Sequence, residues 1–153
     1  MSKNRGEPLG SKYKPIMKLL TWMIFIGYST CLIYWMFRGF GRSSHAELRF
    51  NYIPFTTIWS YIMNVNQQNI TTTIVNLVGN IGVFVPFGVL MPSIFKHLRK
   101  YPVFSIYFIS SILILEFMQT FLKVGSGDID DVILNFVGGS IGYLLWLKTK
   151  INA

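Results

Sequence analysis

Charge, cysteine and histidine are all scarce in this chain. Of its 153 residues 13% are charged, about half the usual quarter. Cys31 is the one cysteine, and His45 and His97 are the two histidines. A single cysteine excludes a disulfide scaffold. Three scattered soft ligands exclude a four-Cys or Cys/His zinc site, so no metal is expected, and no cofactor motif is present. Acidic residues number 6 against 14 basic ones, a formal net charge of +8. A soluble domain of this length needs a charged, mixed surface, which so few charges cannot build. What is abundant is apolar: 52% of the residues, with 13 Phe, 8 Tyr and 4 Trp. That content excludes disorder, and the length fits one domain.

The apolar residues gather in runs. Residues 19–37 and 74–95 carry no charge, residues 103–122 carry only Glu116, and residues 132–147 are followed by Lys148. A bilayer core of about 30 Å needs roughly 20 helical residues at about 1.5 Å rise each. Three runs reach that length and the fourth reaches it with Lys148 snorkelling. In lipid the backbone must satisfy its own hydrogen bonds, so each run is expected to be a helix. The expected fold is all-α: an integral membrane bundle of four transmembrane helices over about 19–37, 74–95, 103–122 and 132–148. A basic N-terminal segment (1–18) precedes the membrane domain (19–148), and a short tail (149–153) follows. Lys12, Lys14 and Lys18 precede the first run as in a signal peptide. However, the run is too long for an h-region and no small-x-small cleavage site follows, so it reads as an uncleaved helix.

Basic residues orient the bundle. Lys3, Arg5, Lys12, Lys14, Lys18, Lys96, Arg99, Lys100, Lys148 and Lys150 fall on one side of a four-span topology. Arg38, Arg42, Arg49 and Lys123 fall on the other. Ten against four predicts both termini on the cytoplasmic side of a bacterial membrane, with the first loop (38–73) and the third (123–131) outside. The basic N-terminus lacks the aromatic interleaving or motif of a nucleic-acid binder, so no nucleic acid is expected, and membrane lipids are the expected surroundings. In the first loop Phe55, Ile58, Trp59 and Ile62 recur at i, i+3, i+4 and i+7 after Pro54. That spacing predicts a short interfacial helix. Asn69-Ile70-Thr71 forms a glycosylation triplet of a kind common by chance.

Polar residues inside spans cost free energy and mark candidate sites. Asn76 and Asn80 share a face of the second run, Glu116 and Gln119 a face of the third, and Asp131 and Asn135 a face of the fourth. All lie in the outer halves. Asp128, Asp130 and Asp131 crowd the start of the fourth run. The expected site is an outward-facing polar and acidic cavity under the first loop. Asn76, Asn80, Glu116, Gln119, Asp128, Asp131 and Asn135 would line it, and Arg49 would be a counter-charge. Glu116 and Asp131 are the candidates for acid–base catalysis if the protein is an enzyme, a question these residues leave open. The structural alternatives are helix capping for the aspartates, interhelical hydrogen bonding for the asparagines, and a protonated Glu116 bonded to an Asn. An Asp cluster could also hold Mg²⁺ or Ca²⁺. Gly79, Gly82, Pro86, Gly88 and Pro92 predict a bend or break in the second helix. Gly138, Gly139 and Gly142 offer a small-residue face through which a homo-oligomer could form.

Four segments together resemble the VanZ-like family of small bacterial membrane proteins. They are Asn51-Tyr52-Ile53-Pro54-Phe55, NLVGNIGVFVPFGVLMP at 76–92, Glu116-x-x-Gln119, and DIDDVILNFVGGSIGY at 128–143. Where the family often carries an Arg before the acidic motif, this chain has Gly125-Ser126-Gly127. The family name derives from a protein associated with low-level teicoplanin resistance. The resemblance therefore implies a cell-envelope role, with a lipid-linked envelope precursor or a lipoglycopeptide as the partner. An intramembrane enzyme acting on a lipid or wall precursor, and a small transporter or channel subunit, are the alternatives.

Overall fold

A computed structural model describes residues 10–38 and 50–151. Its elements in chain order are α1 (Gly10–Arg38), β1 (Phe50–Asn51), α2 (Thr56–Met63), α3 (Ile70–Ile94), a 3₁₀ turn (Lys96–Arg99), α4 (Tyr101–Phe121), β2 (Gly127–Asp128) and α5 (Ile129–Ile151). The fold is all-α. Pro15–Arg38, Ile70–Ile94, Tyr101–Phe121 and Ile129–Ile151 are each long and apolar enough to cross a membrane. Their outward faces carry large apolar side chains such as Ile106, Phe117 and Leu144, which are more than half exposed. Several hydroxyls within these helices turn back on their own backbone. Ser29 Oγ donates to Phe25 O at 2.7 Å, Ser93 Oγ to Val89 O at 2.7 Å and Ser110 Oγ to Ile106 O at 2.7 Å. A polar group in an apolar medium is thereby satisfied without a partner helix.

The core lies between α3, α4 and α5. Phe84 and Phe87 of α3, Phe104, Phe108 and Ile112 of α4, and Tyr143 and Trp146 of α5 are buried together. The Phe104 and Phe108 rings stack 5.1 Å apart, and Tyr143 tilts 4.9 Å from Phe104. Tyr143 also donates its hydroxyl to Arg99 O at 2.6 Å. The α1 helix covers one side of this core through Phe25, Tyr28, Leu32 and Met36. Its Tyr28 hydroxyl donates to Val83 O at 2.9 Å.

Three glycines determine how closely α3 and α5 run. A Cβ at Gly88 would stand 2.0 Å from Gly139 O, one at Gly138 2.0 Å from Ile81 O, and one at Gly142 2.0 Å from Val85 O. The Gly138/Gly142 face, which the sequence offers to a second copy, is therefore filled by α3 of the same chain. A homo-oligomer through that face would have to displace it.

Two further features bear on the expectations. Of the bend or break expected in the second long helix, the break does not occur: α3 continues through Pro86 and Pro92 without interruption. Each proline has a glycine four residues earlier, Gly82 and Gly88. A proline ring presses on the carbonyl at that position, and a residue without a side chain lets the carbonyl tilt away. The first and third loops are also joined by a two-residue parallel pairing, Phe50 with Gly127 and Asn51 with Asp128. A segment so short has no alternation to read.

Gly142→Ala is expected to destabilise the protein by about 1–3 kcal/mol, because the added carbon overpacks a backbone contact. Gly27→Ala, where nothing lies within 4 Å of the new carbon, should be neutral or gain up to about 1 kcal/mol from helix propensity. Thermal unfolding of both variants in one detergent checks this. Equal melting temperatures would refute the assigned packing.

Candidate functional site

The acidic segment that begins α5 holds the loops in place. Asp130 is fully buried. Its carboxylate accepts backbone N–H bonds from Phe55, from Thr57 at 2.7 Å and from Ile58 at 3.1 Å. These are the orphan donors of the first turn of α2, which no side chain of its own N-cap satisfies. A carboxylate at a helix N-terminus is favoured by charge as well as hydrogen bonding. The chain enters α2 through Phe55 with φ 68°, a left-handed conformation costly for a residue with a side chain. The Asp130 contacts hold it there.

Asp128 caps its own helix. Its Oδ1 accepts from the Asp130 N–H at 2.9 Å and from Asn51 Nδ2 at 3.2 Å, and its Oδ2 accepts from Thr57 Oγ1 at 2.6 Å. Asn51 Nδ2 also donates to Thr57 Oγ1 at 2.9 Å. This network joins β1, α2 and α5, and explains why Asn51 and Phe55 belong to one short motif. Asp131 turns the other way and accepts from Asn80 Nδ2 of α3 at 2.6 Å. Asp128 and Asp130 thus both turn to α2 and Asp131 to α3, and no group of three or more His, Cys, Asp and Glu among the described residues is placed to hold a metal ion.

Beneath α2 lies a cavity of about 480 Å³, within the roughly 300–1,000 Å³ range of ligand pockets. Asn76, Asn80, Glu116, Gln119, Asp128, Asp131 and Asn135 all line it. Seven of the eight residues expected at a site thus meet in one place. Arg49 lies outside the described residues. Gln119 donates Nε2 to Met36 O at 2.7 Å, fastening α4 to α1 at the cavity edge. Asn76 donates Nδ2 to Thr72 O of its own helix at 2.8 Å. Asn135 is 2% exposed, and its Oδ1 accepts no hydrogen bond from the described residues. Among the described residues lining it there are three carboxylates and no Lys, Arg or His.

The sequence reading missed Thr57 and Tyr61, which line the cavity from α2, and the role of Asn51. Thr57 and Tyr61 stand at i, i+4, so their shared face was legible beside the apolar stripe of Phe55, Trp59 and Ile62. Ser126, between Gly125 and Gly127, also reaches the cavity wall. Burial raises the pKa of the Tyr61 hydroxyl above its ordinary value, and the charges of Asp131 and Asp128 raise it further.

A family model described as VanZ/LLP1 matches residues 17–150. The chain is similar to Protein VanZ of Enterococcus faecium, 30% identical over 100 residues. That match covers 65% of this chain and 62% of the Enterococcus protein, so the chain spans less than two thirds of the relative's length. No solved structure matches.

Two outcomes test the site's construction. Asp130→Ala strands the first amides of α2 and should cost about 2 kcal/mol, with faster hydrogen exchange at Phe55, Thr57 and Ile58. Unchanged exchange there would contradict the capping role. Tyr61 holds its proton more tightly in the folded protein than in the unfolded chain. Its contribution to stability is therefore complete below the unfolded value of about 10 and is lost as pH rises through the higher folded value. Carbon NMR of labelled tyrosine, assigned with Tyr61→Phe, should show that titration moving down in Asp131→Asn. No movement would exclude the coupling.

Proposed function

The chain belongs to the VanZ/LLP1 family, and on that premise we propose that its polar cavity binds or modifies a component of the bacterial cell envelope or an amphiphilic ligand, lowering the access of a glycopeptide such as teicoplanin to the cell surface. The observation that carries the reading is the convergence of Asn76, Asn80, Glu116, Asp131 and Asn135 from three membrane-length helices into one cavity. Polar groups inside spans are costly, and a ligand that uses them together gives them a common purpose. The cavity lies at the end of the bundle formed by the first and third loops, since Thr57, Tyr61, Gly125 and Ser126 line it. With the basic residues divided ten to four, that end faces outward from the cytoplasmic membrane and both termini face inward.

A second reading, an intramembrane enzyme, draws on the same carboxylates. Glu116 and Asp131 face one cavity, and two carboxylates in one site are the groups acid–base chemistry uses. Turnover of extracted envelope lipid or wall precursor by purified protein would support it over simple binding.

Glu116→Gln and Asp131→Asn, each expressed and inserted like the parent, should return labelled-teicoplanin binding and growth inhibition to the levels of cells without the protein. Full protection by both variants would remove the cavity from the function.

A further inference from the structure

Four primary amides line the polar cavity, and three of them are held by the protein in the same way. Asn76 donates Nδ2 to Thr72 O at 2.8 Å, Asn80 donates Nδ2 to Asp131 Oδ1 at 2.6 Å, and Gln119 donates Nε2 to Met36 O at 2.7 Å. A primary amide carries two N–H donors and a carbonyl acceptor. One N–H of each is thus committed, which fixes the side chain and leaves it a second N–H and a carbonyl oxygen. Asn135 goes further. It is 2% exposed, it lines the same cavity, and its Oδ1 receives no donor from the described residues. A buried acceptor in that state costs free energy until a donor arrives.

We infer that the cavity takes a neutral, polyhydroxylic head group of the saccharide class, and that Asn135 reads one of its hydroxyls. The inference rests on reading the cavity as a ligand site. A hydroxyl both gives and takes a hydrogen bond. It donates to the Asn135 carbonyl, and were that amide turned end over end, its buried NH₂ would find an acceptor in the same hydroxyl. An ammonium group only donates and a sulfate only accepts, so each would use one half of every amide. A peptide unit has both functions, but one of each and in one plane. The four amides come from α3, α4 and α5. A ligand that meets them together has to present groups in several directions, as the hydroxyls around a sugar ring do.

The cavity has the room. Its volume of about 480 Å³ exceeds many times over the share of one water in the liquid, about 30 Å³. Asn135 then acts as a specificity-determining residue. A site built to hydrogen-bond a hydroxyl rejects the analogue that lacks it, because the buried polar group is left unpaired.

The test reconstitutes the full chain in phosphatidylcholine vesicles with an alkyl glucoside that carries a photoactivatable group where sugar and chain join. Probes with the same chain and label but another head are the comparisons: a tetrahydropyran ring without hydroxyls, an amine, a sulfate and a dipeptide amide. The glucoside should label the cavity residues saturably, about tenfold more than each comparison, the factor for one buried hydrogen bond. Asn135→Leu keeps the forked shape and removes both polar atoms. It should lower glucoside labelling about tenfold and leave labelling by the bare ring unchanged. Its melting temperature without probe should hold or rise, and a fall would make Asn135 a structural bond and overturn its role. Equal labelling by glucoside and bare ring, or a preference for the amine, the sulfate or the dipeptide, would overturn the inference however Asn135→Leu folds. If the glucoside is not preferred while glycopeptide protection still requires Glu116 and Asp131, the saccharide site fails and the proposed function stands. If the glucoside is preferred through Asn135 and protection does not require those carboxylates, the saccharide site stands and the glycopeptide role fails. If neither is seen, both fail.

Discussion

Gly88, Gly138 and Gly142 let α3 and α5 run backbone against backbone, and the cavity depends on that contact. In a bilayer, apolar surface alone does not hold helices together, because lipid is an equally good solvent for it. Close packing and hydrogen bonds have to do so. At each of these glycines an added Cβ would meet a carbonyl oxygen at 2.0 Å, which sets the register between the two helices closely. In that register Asn80 reaches Asp131. A slip of one helical turn, about 5.4 Å, would part them.

The acidic segment at the start of α5 works as a junction. Its three aspartates lie within four residues and divide their contacts among the neighbouring elements. Asp128 reaches β1 and α2, Asp130 the first amides of α2, and Asp131 the second membrane-length helix. Capping and site-building are not alternatives here. Asp128 caps α5 and lines the cavity at once. The loop helix α2 sits over the cavity because a carboxylate of another helix completes its first turn.

The scarcity of charge acquires a location from this arrangement. Of the six acidic residues, Glu116, Asp128 and Asp131 border the cavity and Asp130 anchors its cover. Among the described residues that line the cavity none is basic, so a net charge of +8 coexists with a wall rich in acceptors.

Sequence alone determined the four apolar helices, the short interfacial helix and the shared depth of the polar residues. These follow from periodicity, run length and the thickness of a bilayer, all of which are local or fixed from outside. Tertiary structure decided which of those residues meet. The partners of Asp130 are backbone amides 72 to 75 residues away, groups every residue but proline carries, so no residue type announces them. The β1–β2 pairing is two residues long and has no pattern to detect. The small face of α5 reads the same whether another chain or α3 covers it, because a glycine stripe encodes close approach but not the identity of the neighbour. Common depth was legible from helix geometry; convergence required the rotation of each helix about its axis, which packing sets.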